Sequence, residues 1–203
     1  MSVYSPVVNA FGQSAYFDQQ GTALAGMLAN ASDINLVDAA VVGEELDFAV
    51  CGRFYPLKID TSIIRPGVNT EKITSYDDAT LSFPPDEWCV VVRNQQVQTN
   101  AENESGWESK RMANVLRTSR VGGRIWVEGI TEQSEMAQGD FYAVVAVASG
   151  EAKVGQLTTD SSITGATLST NVLIGTKMLG ATPPDSNGHC LVLIEFHNTD
   201  FAS

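Results

Sequence analysis

Gly123-Arg-Ile-Trp-Val127, Gly139-Asp-Phe-Tyr-Ala-Val-Val-Ala-Val147 and Cys190-Leu-Val-Leu-Ile-Glu-Phe196 decide the reading of this chain. Each run is dense in β-branched and aromatic residues and is bounded by Gly, Asp, Asn or Pro, the composition of a strand between turns. Turns at Gly150, Gly165, Gly175, Gly180 and Pro183-Pro-Asp-Ser-Asn-Gly188 recur at about the dozen-residue spacing of a sandwich or barrel. No catalytic motif interrupts them, so the repeated pattern predicts a protein whose product is a surface.

Working outward, the strand signal begins at Ile34. It continues through Asn35 to Val42, Leu46-Asp-Phe-Ala-Val-Cys51 and Tyr55 to Asp60. Trp88-Cys-Val-Val-Val-Arg93 is a continuous apolar run short enough to be a buried strand. Between them, Arg65 to Pro85 holds Pro66-Gly67, Asn69, Asp77-Asp78 and Pro84-Pro85, and reads as a long loop with an edge strand at Ala79 to Phe83. Asn94 to Ser105 reads as an exposed turn region. Trp107 to Arg117 fits two patterns: Met112, Val115 and Leu116 lie on one helical face, and Met112-Ala-Asn-Val-Leu116 also suits a strand.

Residues 1–32 differ in kind. They carry one charge, Asp18, yet include Tyr4, Phe11, Tyr16 and Phe17. An uncharged, aromatic, weakly patterned segment reads as an arm whose apolar partner lies elsewhere. The competing reading is a first strand or coil docked on its own domain. Thr22 to Asn30 predicts a brief helical turn, weakened by Gly21 and Gly26. The expected organisation is an arm, 1–32, and one all-β domain, 33–203, a β-sandwich or barrel-like (jelly-roll-like) body.

Composition narrows the function classes. The 203 residues suffice for one such domain with a core. A net charge of −12 argues against gripping nucleic-acid backbones, which takes clustered Lys and Arg. No run of eighteen apolar residues predicts a membrane span, and Met-Ser-Val-Tyr-Ser-Pro lacks the pattern of a signal peptide, so folding in a cytosol is expected. Cys51, Cys89 and Cys190 lie far apart in apolar runs, the setting of reduced, buried thiols.

Chemistry is scarce. His189 and His197 flank the last strand, and eight residues of extended chain at ~3.3 Å each keep them too far apart to share a metal. Glu44-Glu45, Asp77-Asp78 and Asp86-Glu87 are adjacent pairs whose side chains diverge on a strand. The Arg65 to Pro85 loop has oxygen ligands but not the spacing of a calcium loop. Neither a metal nor a cofactor is expected. One cluster departs from background: Lys110, Arg111, Arg117, Arg120 and Arg124 are five of twelve basic residues within fifteen positions. It reads as a solvated face or as a patch for an acidic partner, where Arg offers bidentate carboxylate recognition.

In this order, the segments resemble the cement or head-decoration proteins of tailed bacteriophages. The matching stretches are Val42-Gly43 through Val50, Cys89-Val-Val-Val-Arg93, Gly123-Arg-Ile-Trp-Val127, Ala137-Gln-Gly-Asp-Phe-Tyr-Ala-Val144 and Gly188-His-Cys-Leu-Val-Leu193, with Ile174-Gly175 and Lys177-Met-Leu-Gly180 before the last turn. The resemblance implies a non-enzymatic virion protein, made in the bacterial host cytoplasm, that sits on the capsid surface and stabilises the major capsid protein. It also implies self-association, with a trimer favoured over a dimer. The basic cluster is then the candidate capsid contact and the four arm aromatics are candidate arm contacts. The alternative class is a carbohydrate- or receptor-binding β module of a tail fibre, in which Trp88, Trp107 or Trp126 would stack on sugar.

Overall fold

The computed structural model describes residues 23–29, 36–59, 71–76, 87–138, 142–169 and 176–197. All regular elements among them are strands, as the alternation predicts. In chain order they are β1 (Val37–Val42), β2 (Phe48–Val50), β3 (Phe54–Ile59), β4 (Glu71–Ile73), β5 (Glu87–Val91), β6 (Gln98–Thr99) and β7 (Ser105–Glu108). There follow β8 (Met112–Arg117), β9 (Arg124–Ile130), β10 (Ala143–Val147), β11 (Leu157–Thr158), β12 (Thr167–Ser169), β13 (Thr176–Ala181) and β14 (His189–Phe196).

Strands β1-β4-β3-β5-β8 close into a small barrel, β12-β10-β11-β9-β14-β13 form an open sheet, and β2-β7-β6 form a short third sheet. The apolar run in β5 explains how barrel and open sheet share one molecule. Side chains alternate across a strand, so Cys89 and Val91 enter the barrel's own core with Tyr55, Leu57, Ile73 and Val115. Trp88, Val90 and Val92 point the other way, into a second core shared with Ile125 and Val127 of β9 and Val192, Ile194 and Phe196 of β14. Both faces of β5 are therefore buried, which is why it reads as continuous rather than alternating. Phe54 meets Phe196 edge to face across this second core, ring centroids 6.5 Å apart. A third, smaller cluster joins Ile130 and Val145 to Ala152 of the β10–β11 turn and Ile163 of the β11–β12 loop.

The structure departs from the sequence expectations in three places and decides a fourth stretch that the sequence left open. Residues 23–29 hold no helical turn: Met27 N–H donates to Leu24 O at 3.0 Å, and Gly26 takes φ +80°, a turn geometry that a helix does not contain. Glu71–Ile73, inside the expected loop, is a barrel strand paired in parallel with β1 through Val41–Lys72 and Val42–Ile73. Asn94 to Ser105 includes β6 and the start of β7. The Trp107–Arg117 stretch resolves as strand, because Ala113 and Val115 alternate into the barrel. The edge strand expected at Ala79 to Phe83, and Tyr4, Phe11, Tyr16 and Phe17, lie outside the described residues.

Three segments in turn occupy one edge of β9. Ala29 N–H donates to Arg124 O, Trp126 N–H to Met27 O, and Gly26 N–H to Trp126 O. Farther along, Glu128 N–H donates to Gly52 O at 2.9 Å, and Leu157 of β11 pairs with Gly129. The approach around Gly26 is tight: a Cβ there would lie 2.9 Å from Cys51 Cβ and from Val91 O. The strap 24–29 is thus wedged where barrel and open sheet join.

Candidate functional site

Strand β8 carries the basic cluster at its two ends, and six residues of strand at ~3.3 Å each set Arg111 and Arg117 about 20 Å apart. At the far end, Arg117 lies among carboxylates supplied by three different barrel strands. Its Nε is 3.2 Å from Asp38 of β1, its Nη1 is 3.2 Å from Glu87 of β5, and its Nη2 contacts Glu71 of β4. Burial disfavours the charge, yet these acids outweigh it and raise the Arg117 pKa. Arg120, on the β8–β9 turn, grips Asp38 with Nε donating to Oδ2 at 3.1 Å and Nη2 to Oδ1 at 3.0 Å, a bidentate pair. Arg124 opens β9 against Glu195 of β14, its cross-strand partner, and Glu195 also takes His197 Nε2 at 2.9 Å.

The near end is different. Lys110 and Arg111 form the β7–β8 turn, where Lys110 N–H donates to Val42 O and Lys110 adopts φ +64°, a region a lysine enters at some cost. Lys110 Nζ reaches Glu44 at 3.4 Å with both side chains mostly in water, so the pair is worth little. Arg111 is exposed, and Met112 beside it is 48% exposed. The five cations of the sequence cluster thus fall into two groups, one held by the chain's own acids and one presented to solvent.

A second ionic centre escaped the sequence reading. Arg53 follows a turn at Gly52 and is almost wholly buried at the barrel–sheet junction. Its Nε lies 2.7 Å from Glu128 of β9 and its Nη2 2.5 Å from Glu104, which precedes β7. Lys153 Nζ, from the β10–β11 turn, completes the group 2.7 Å from Glu104. Burial opposes the Glu104 charge, but the hydrogen bond from Lys153 and the charge of Arg53 prevail, and its pKa falls to about 2. All three sheets are tied at this point. The available signal was Arg53 itself, the only charge in Phe48–Leu57 and next to a glycine.

A cleft of ≈ 410 Å³ opens at this junction, lined in part by Arg53, Glu104, Glu128, Lys153, Gln156 and His189. Its ionic groups engage one another, and His189 Nδ1 is 3.1 Å from Gln156 Nε2. His189 and His197 stand at opposite ends of β14, so they do not converge. Cys51, Cys89 and Cys190 are free and buried, and desolvation raises the thiols of Cys51 to about 12 and Cys190 to about 11, and that of Cys89 further still. Such thiols are poor nucleophiles. Trp88 and Trp107 are buried, which removes them as sugar-stacking platforms, whereas Trp126 on β9 is half-exposed.

The family model for structural cement proteins, described as "Structural cement protein (E217 gp24/Pam3 gp6)", matches residues 11–194. No curated protein and no solved structure matches the chain.

Proposed function

From the premise that this chain belongs to the structural cement protein family of bacteriophages, we propose that it binds the outside of the head and bridges neighbouring major capsid subunits. Membership makes it a structural virion protein that associates with capsid proteins. The match over residues 11–194 is the observation that carries the reading. The physical features agree with it. Two cores and a buried ionic tie make a stiff body, and a stiff body transmits load between the subunits it touches. Multivalent display on an icosahedral lattice lets modest contacts accumulate.

Within that reading, the basic cluster supplies the charged contact. Lys110 and Arg111 carry the charge left in solvent, Arg120 and Arg124 add half-exposed guanidiniums beside their own acids, and Arg117 holds the strand ends that present them. The arm makes its apolar contacts through Tyr4, Phe11, Tyr16 and Phe17 without desolvating charge, and its distal part reaches a neighbour. Self-association into a trimer, in preference to a dimer, suits a protein repeated around symmetry axes. No chemistry is assigned.

The test is sedimentation of purified protein with expanded cognate heads lacking it, beside a glycan array. Saturable binding to heads with no glycan binding supports the proposal. Glycan binding without head binding would favour the tail-fibre module instead.

A further inference from the structure

The open sheet has two outer halves that differ. Over β10 and β12 the face opposite the barrel is covered by the chain's own loop, which packs Ile163 and Ala166 on Ile130, Val145 and Leu168. Over β9, β14 and β13 the same face presents Trp126, paired across strands with Leu193, which in turn pairs with Gly180. Leu191 lies two residues from Leu193 on the same face, and Leu179, in the bulge beside Gly180, is 36% exposed. Nothing stands within 4 Å of where a Gly180 Cβ would be, so the β13 side of this face is open. Trp126, Leu191 and Leu193 are each half-buried. A tryptophan and three leucines facing outward together form a patch of the kind that normally marks an interaction.

The strap says what reaches it. Its turn at Leu24–Met27 sits against Trp126, and Gly26 is wedged on the barrel side by Cys51 and Val91. The β9 edge beyond Trp126 is taken by Gly52 and β11, so the chain before Leu24 has no edge to follow. Leu24, at the N-terminal end of the strap, is 45% exposed. From Trp126 to Leu179 is two strand spacings, about 10 Å. Phe17 lies seven residues before Leu24, a reach of up to about 25 Å. Both Phe17 and Tyr16 span the patch with chain to spare; the chain before Leu24 carries one charged side chain, Asp18, while Arg124, Glu128 and Glu195 flank the patch on the sheet.

We propose that Tyr16 and Phe17 dock on their own chain's outer sheet face, over Trp126, Leu191, Leu193 and Leu179, and that residues 1–11 are the part of the arm that reaches a neighbour. This division rests on the cement reading only for what residues 1–11 bind. Closeness along the chain favours the chain's own arm over a second copy's, because the tethered segment is present at high effective concentration. The arm thereby acquires a fixed root, and pull on its tip is carried into the barrel–sheet junction.

Photo-crosslinking of the isolated full-length protein tests it without heads. Phe17→p-benzoylphenylalanine, in a mixture of ¹⁴N- and ¹⁵N-labelled protein, is expected to crosslink within one isotopic chain to residues of the β9–β14–β13 face. The Leu193→Asp background should abolish that product, while Phe11→p-benzoylphenylalanine should not give it. Mixed-isotope products would assign the face to a second copy and overturn the proposal. Crosslinks elsewhere, or none, would also overturn it. Head binding is read separately by sedimentation, so either claim can fail alone.

Discussion

The Arg53 junction and the Lys110–Arg111 corner are both cationic, yet they are opposite solutions. Arg53 is buried between Glu104 and Glu128, so its charge is usable only while both acids stay in place. Lys110 is in water against a mostly exposed Glu44 and contributes almost nothing to the fold. The contrast teaches that a count of basic residues is not a map of a binding surface. A cation answered by its own chain is a fastener, and one left in solvent is available to a partner.

The largest effect should come from breaking the fastener. Arg53→Met leaves Glu104 and Glu128 facing each other in a half-buried site, and loss of one member of a buried pair costs about 3–5 kcal/mol. Urea unfolding should show a drop of that size. A change under about 1 kcal/mol would mean that the junction is packing alone. Arg117→Gln comes next, at about 2 kcal/mol, since it leaves Asp38, Glu71 and Glu87 without their central cation at a more accessible site. Weakened head attachment by this variant would then report a softened barrel as well as lost charge, so attachment must be compared at matched folded fraction.

Acid sharpens the same comparison. Glu104 has a folded pKa of about 2 against an ordinary 4.5, so the unfolded chain binds its proton first as pH falls. The stability it contributes is complete above about pH 4.5 and is lost as pH falls toward about 2. Glu104→Gln should flatten the stability profile in that window. An unchanged slope would separate Glu104 from the junction's electrostatics.

The smallest effect on the fold should come from the exposed corner. Lys110→Gly with Arg111→Ser removes two charges while relieving the positive φ at position 110, and stability should move by less than about 1 kcal/mol. Attachment to heads should nevertheless weaken and lose part of its salt dependence. Normal decoration at every salt concentration would make this corner a solvated face.

What was legible in the sequence follows from where each signal resides. β5, β9 and β14 were readable because a strand buried on one or both faces writes its own apolar pattern. β4 was not: Glu71-Lys72-Ile73 has one apolar residue, and its place beside β1 is set by barrel closure. The helix-like spacing of Met112, Val115 and Leu116 gave way because the barrel needs Ala113 and Val115 inside, with Leu116 serving the second core. The basic cluster was visible as a cluster, but its division was hidden. Asp38, Glu71, Glu87 and Glu195 are remote along the chain and meet the arginines only through strand pairing. Arg53 was a lone charge in an apolar run, which signals a buried pair without naming the partners.

The central claim is that this chain strengthens the head by joining capsid subunits. The direct measurement is the temperature at which packaged DNA escapes from heads stripped of the protein, before and after saturation with the purified chain. Saturated heads should hold their DNA to a temperature several degrees higher, and the gain should shrink as bound copies are removed by salt. Saturated binding with no change in release temperature would contradict the account and leave the protein a decoration that bears no load.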